Sequence, residues 1–146
     1  MERPKSIIAF ERAFWASFAV GLLGGILSWN QVLAAYEREP SIAALGFGSG
    51  FLIAIWCISL AFQFLFWYLI ARKASNVTRW IYVVLMGLGI ISALATINDP
   101  AMPGGVSWIF SLASSALTAL AIFFLFRPDA SDWLTKKRYV DPDTFR

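Results

Sequence analysis

The sequence predicts an all-α fold: an antiparallel bundle of four transmembrane helices with both termini cytoplasmic. Three observations predict it. Only 14% of the 146 residues are charged while 59% are hydrophobic, with a mean hydropathy of +0.67, whereas soluble domains carry about 25% charged residues. The missing charge is concentrated in four apolar runs, each near or above the length of about 20 residues that a helix needs to cross the hydrocarbon core. Finally, eleven of the twelve Lys and Arg residues fall in three groups that four crossings put on one side, and only Arg38 falls on the other. The positive-inside rule makes that side cytoplasmic.

The first residues, Met1 to Ser6, are short and mixed in charge. The apolar run after them is too long for the h-region of a signal peptide, about 7–15 residues, and Glu2 and Glu11 are unusual there, so an uncleaved first span is expected. Span one covers about 14–36, span two 42–70, span three 80–97 and span four 106–126 of a single integral membrane domain, 1–146. Span two exceeds the bilayer requirement and is expected to tilt or project. Its start, Gly46-Phe47-Gly48-Ser49-Gly50, reads as loosely wound. The outer loops, 37–41 and 98–105, are short and carry Pro and Gly that turn the backbone. The central turn holds Arg72, Lys73 and Arg79 on the inner side, with Trp80 at the boundary.

The tail, 127–146, begins where Pro128 breaks span four, and Ser131 is placed to cap a short helical turn. Trp133 and Leu134 then return to the interface, with Lys136, Lys137 and Arg138 beside anionic headgroups. The plainer alternative gives the tail a purely topological role. Trp15, Trp67, Tyr68, Trp80 and Tyr82 cluster near the inner boundary, and Tyr36 and Trp108 near the outer one, the depth that amphipathic rings prefer. Trp29 and Trp56 lie deeper and are expected to pack inside the bundle.

Chemistry-bearing patterns are scarce. There is no histidine, which removes the commonest general base and metal ligand. The one cysteine, Cys57, lies in an apolar run and reads as a small packed or lipid-facing residue. The Gly46–Gly50 stretch lacks the third glycine of a dinucleotide fingerprint, because position 51 is Phe, and no strand precedes it. The basic balance, pI about 9.3, belongs to residues flanking apolar spans, so nucleic acid is not an expected partner. Glu37, Glu39 and Asp99 on the outer loops read as a solvated rim. No ionisable residue falls inside the four spans so drawn. Nothing suggests a cofactor, a metal or an enzyme.

What remains is small and polar residues inside the spans. Ala13, Ser17, Gly21 and Gly25 in span one, Gly46, Gly50 and Ala54 in span two, and Ser107, Ser111, Ser115 and Ala119 in span four recur every fourth residue. That spacing places them on one helix face, where small side chains let backbones approach in lipid. The same faces serve either packing within the bundle or an outside partner. Hydroxyls and amides (Ser28, Asn30, Gln31, Ser59, Gln63, Ser92, Thr96, Ser114, Thr118) are suited to bonding between helices or to lining a path for a neutral solute.

Two segments carry a resemblance. Asn76, Arg79 and Trp80 open span three after a basic turn, and Leu125-Phe126-Arg127-Pro128-Asp129-Ala130-Ser131-Asp132-Trp133 closes span four. The chain thereby resembles a broad group of small four-span bacterial inner-membrane proteins that have no established activity. It departs from them at Thr78, where Ala is usual, and at Val77, where an aromatic is common. The resemblance implies four helices in a prokaryotic inner membrane and transfers no catalytic residue.

The leading functional expectation is a non-enzymatic membrane protein acting by helix association, as an accessory or scaffold subunit or a homo-oligomer, through Ser17, Gly21, Gly25, Gly46, Gly50, Ser111 and Ser115. The bilayer is the other expected partner, met at the cytoplasmic surface by Arg72, Lys73, Arg79, Trp80, Trp133, Lys136, Lys137 and Arg138. The alternatives are a small transporter or channel component for a neutral or weakly polar solute, and a lipid-binding or lipid-sensing protein.

Overall fold

The computed structural model describes residues 3–38, 49–95 and 105–135. These residues are helical: α1 (Lys5–Leu27), α2 (Trp29–Arg38), α3 (Ser49–Ala71), α4 (Asn76–Ala95), α5 (Val106–Leu125) and α6 (Pro128–Leu134). Helices α1, α3, α4 and α5 are long and apolar enough to cross a membrane. The protein is therefore read as an integral membrane helical bundle.

The helices do not end where hydropathy does. The helix containing the first apolar run starts at Lys5 rather than near Phe14, after Pro4 in an extended conformation (φ −59, ψ 150). It also does not continue to residue 36. It stops at Leu27, the chain turns at Ser28, and a separate polar helix α2 follows. The adjacent pair Gly24-Gly25 lowers helix propensity just before the break. The Ser28 hydroxyl donates to Ser107 Oγ at 2.6 Å on α5, which anchors the turn in place.

Helix α4 likewise begins before Trp80. The Ser75 hydroxyl accepts the Thr78 N–H at 3.2 Å, an N-cap that draws Asn76-Val77-Thr78-Arg79 into the first turn. Ala74, just before this cap, holds a left-handed φ of 51°, a conformation that costs an L side chain energy and favours glycine. Gly105, with φ 82, precedes α5, and Pro128 occupies the first turn of α6, where its missing N–H is no loss.

The buried core lies at the basic end. Ile7, Phe10 and Phe14 of α1 meet Ile70 and Ala71 of α3, Tyr82 of α4, Ala121 and Leu125 of α5, and Ala130 and Leu134 of α6. Tyr82 is the aromatic hub: Phe10 meets it edge-on at 6.0 Å, and Phe14 and Phe66 lie at 6.1 and 5.8 Å. Helix α1 runs against α5, with Ser17 opposite Ser114 and Ser28 opposite Ser107, so numbers rise along one as they fall along the other. Away from the core, α3 and α4 leave most side chains uncovered, among them Ile53, Ile58, Leu88 and Ile91. Such a surface suits lipid, which supplies no hydrophobic force to close it.

Candidate functional site

Two regions combine polar side chains with defined geometry. The first is built on the central turn at the basic end. Arg79 sits in the first turn of α4 and, unlike the surface cation expected from sequence, is only 5% exposed. It extends beneath the end of α5, where Nη1 donates to the Leu125 carbonyl at 3.4 Å and to Ser131 Oγ of α6 at 3.1 Å. Its guanidinium lies 5.5 Å from the Trp80 ring and 5.4 Å from the Phe126 ring, distances at which aromatic faces attract a cation. The carbonyl end of a helix carries partial negative charge, so a cation there is also favoured by the α5 dipole. Nε is buried without a partner among the described residues. The physical role of Arg79 is a pin that joins the central turn, the end of α5 and the tail helix. A buried cation thus occurs within a helix apolar enough to span, and Glu11 lies within α1.

A second contact ties the tail to the start of the chain. Asp129 Oδ2 accepts the Ser6 N–H at 3.1 Å and Oδ1 accepts the Ser6 hydroxyl at 2.7 Å. Pro4 supplies no side-chain cap to α1, so the carboxylate reaches across from α6 and meets the positive end of the α1 dipole. The hydrogen bond from the Ser6 hydroxyl, assisted by backbone donors and opposed by desolvation, holds the Asp129 carboxyl below its ordinary range. Glu11 gathers a different set: Arg3 at 3.0 Å, Arg72 at 3.6 Å and the Trp67 indole N–H at 3.0 Å.

The second region is a hydroxyl seam between α1 and α5 that opens into a cavity. Ser17 Oγ donates to the Ser114 carbonyl at 2.9 Å and lies 2.7 Å from Thr118 Oγ1. Farther along, Ser28 donates to Ser107, and Ser107 donates to Gln31 Oε1 at 3.0 Å. Between these contacts lies a cavity of about 460 Å³, bounded by Gly21 and Gly24 of α1, Ser28 at the turn, Gly89 and Ala93 of α4, and Ser107, Ser111 and Ser115 of α5. It exists because small residues on three helices face one another. Gln63, one of the polar residues suited to lining a solute path, is not among its lining residues.

The association residues expected from sequence separate into several groups. Ser17 is buried in the α1–α5 seam. A side chain at Gly21 would meet Ser114 Oγ at 3.2 Å, and one at Gly25 would collide with the Trp56 indole of α3. This α1 face therefore packs within the bundle. Gly24, outside the fourfold series, makes the closest approach to α5: an added Cβ would lie 2.7 Å from Phe110 Cβ. Ser111 is exposed and Ser115 half-buried, and both line the cavity. Gly50 on α3 faces open space, and Gly46 lies outside the described residues.

Of the expected membrane-surface residues, Arg72 and Lys73 are exposed, over the rings of Trp67 (5.4 Å) and Tyr68 (5.8 Å). Trp80 is 50% exposed. Trp133 packs part-buried against the core, and Ser131 receives Arg79 rather than capping α6. Lys136, Lys137 and Arg138 lie outside the described residues, as do Glu39, Thr96 and Asp99. Trp29 and Trp56 meet at 5.9 Å, each half-buried. Among the described residues no group of His, Cys, Asp or Glu could hold a metal ion.

Sequence reasoning missed the Asp129–Ser6 contact and the burial of Arg79. Both join residues far apart in the chain, and neither leaves a local pattern to read. No family model, no curated protein and no solved structure matches the chain.

Proposed function

We propose that this chain is a non-enzymatic subunit of a bacterial inner membrane, an antiparallel four-span bundle with both termini cytoplasmic, and that it works by association through α3. The observation that carries this reading is the outer face of α3. Gly50, Ala54, Cys57 and Ala61 are all exposed, and their spacing of four, three and four residues puts them on one side of the helix. Ser17, Gly21 and Gly25 of α1 face α5 and α3 within the bundle, whereas the α3 stripe is free for a second copy or a larger membrane complex. A small-residue stripe lets two backbones approach closely in lipid.

Cys57 makes the reading testable, because it is the only cysteine and lies in the stripe. Oxidation of native membranes with a copper catalyst is expected to give a disulfide-linked dimer. Ala54→Leu with Ala61→Leu is expected to abolish it while leaving the monomer folded. A chain that stays monomeric in mild detergent and never cross-links rules out self-association through this face.

A second reading is supported by the cavity. A pocket of about 460 Å³ lined by serines suits a small neutral or weakly polar solute. The aromatic core closes the basic end beneath it, which favours binding over continuous conduction. Native mass spectrometry tests this: a co-purifying small molecule displaced by Ala93→Phe supports it, and retention in that variant counts against it.

A further inference from the structure

At the basic end, α1 and α5 leave a groove of about 630 Å³, lined by Lys5, Ile8, Ala9 and Arg12 of α1 and by Leu120 and Phe124 of α5. Spacings of three and four residues place Lys5, Ile8, Ala9 and Arg12 on one face of α1. The small side chains of Ala9 and Ala13 form the floor, and Ile8 and Leu120, 37% and 44% exposed, form apolar walls. Lys5 and Arg12 stand at the rim, both exposed. Neither makes an ion pair or hydrogen bond among the described residues. The nearby carboxylates on α1 and at the start of α6 are engaged elsewhere, Glu11 with Arg3, Arg72 and Trp67, and Asp129 with Ser6.

We infer that this groove is a binding site for an anionic phospholipid, with its phosphate between Lys5 and Arg12 and an acyl chain along Ile8, Leu120 and Phe124. The two residues lie roughly 10 Å apart along the helix axis. Long cationic side chains swing their charged heads to a common depth while their stems cover apolar surface. Two cations with no ion pair among the described residues attract a net negative headgroup and repel the ammonium of a zwitterionic one. The small floor residues give the chain its slot. Basic pockets between membrane helices bind anionic headgroups by the same physics. The site is independent of the α3 stripe and of which leaflet the basic end meets.

The test uses the full-length protein in vesicles of equal phosphatidylglycerol and phosphatidylcholine, followed by gentle extraction and native mass spectrometry of the retained lipid. Two basic side chains at a membrane surface supply a preference of roughly thirty-fold, ~2 kcal/mol at ~1.4 kcal/mol per decade. Lys5→Gln with Arg12→Gln is expected to bring the two lipids to near-equal retention. Lys73→Gln with Arg127→Gln, at the same end but outside the groove, is expected to keep the preference. Ala9→Phe fills the slot, leaves both cations, and is expected to lose the bound lipid; it also serves if the double variant does not fold. The inference is overturned if the double variant keeps the preference, if the control pair loses it equally, or if Ala9→Phe retains phosphatidylglycerol as the wild type does.

Discussion

Replacing Gly24 by Ala tests the close approach of α1 to α5. The added Cβ would lie 2.7 Å from Phe110 Cβ, an atom fixed to the α5 backbone that no rotamer change can move away. Either α1 and α5 separate or one of them rotates. Overpacking of this kind costs about 1–3 kcal/mol. The substitution also brings a gain of roughly 0.5–1 kcal/mol, because alanine is the better helix former. Gly89→Ala on α4 isolates that gain, since an added Cβ there meets nothing within 4 Å. Gly24→Ala should therefore be less stable than Gly89→Ala by about 1–3 kcal/mol. Reversible unfolding by sodium dodecyl sulfate in mixed micelles, followed by circular dichroism, reads the difference. If Gly24→Ala stabilises as much as Gly89→Ala, α1 and α5 do not approach at this point and the seam is misassigned.

Other consequences follow from the same contacts. The Asp129 carboxyl is held below its ordinary value of 3.8 by hydrogen bonds from Ser6, so its contribution is complete above about pH 5 and fades as pH falls through the depressed value. A spin label at position 135, in a Cys57→Ser background, should gain mobility in that acid range. Asp129→Asn should remove that pH dependence, and an unchanged profile would mean that another group releases α6. A double-mutant cycle of Ser28→Ala and Ser107→Ala should give a coupling of about 0.6 kcal/mol, typical of hydrogen bonds between membrane helices; zero coupling would place the hydroxyls out of contact. Ala74→Gly should raise the unfolding midpoint, by up to about 1 kcal/mol in stability, because φ of 51° costs alanine more than glycine. A lower midpoint would show that this turn is not left-handed.

The apolar runs and their punctuation were legible in the sequence for a direct reason. Each long helix needs an uninterrupted stretch of residues that lipid tolerates, and such a stretch is a local property. Pro128 marked the break before the tail, and Gly105 the entry to α5. Hydropathy located the helix ends less well, because a helix continues as long as its backbone is capped and bonded. Ser75 caps α4 ahead of Arg79, and α1 carries Glu11 and Arg12 within its first turns. The fourfold series of small residues was visible, but not which faces the bundle would use. Ser17, Gly21 and Gly25 turn inward while Gly50 faces open space.

By itself, then, the sequence determined a helical membrane protein with its basic residues gathered at three points of the chain. Charge and hydropathy act residue by residue, against a solvent that is the same for every segment. Only the tertiary structure decided what those basic residues do. Arg72 pairs with Glu11, Arg79 is buried beneath the end of α5, and Lys5 and Arg12 are left beside an apolar groove. The physical reason is that a cation's partner is set by which carboxylates, carbonyls and rings the packing brings within a few ångströms. Those partners come from helices that are distant in sequence.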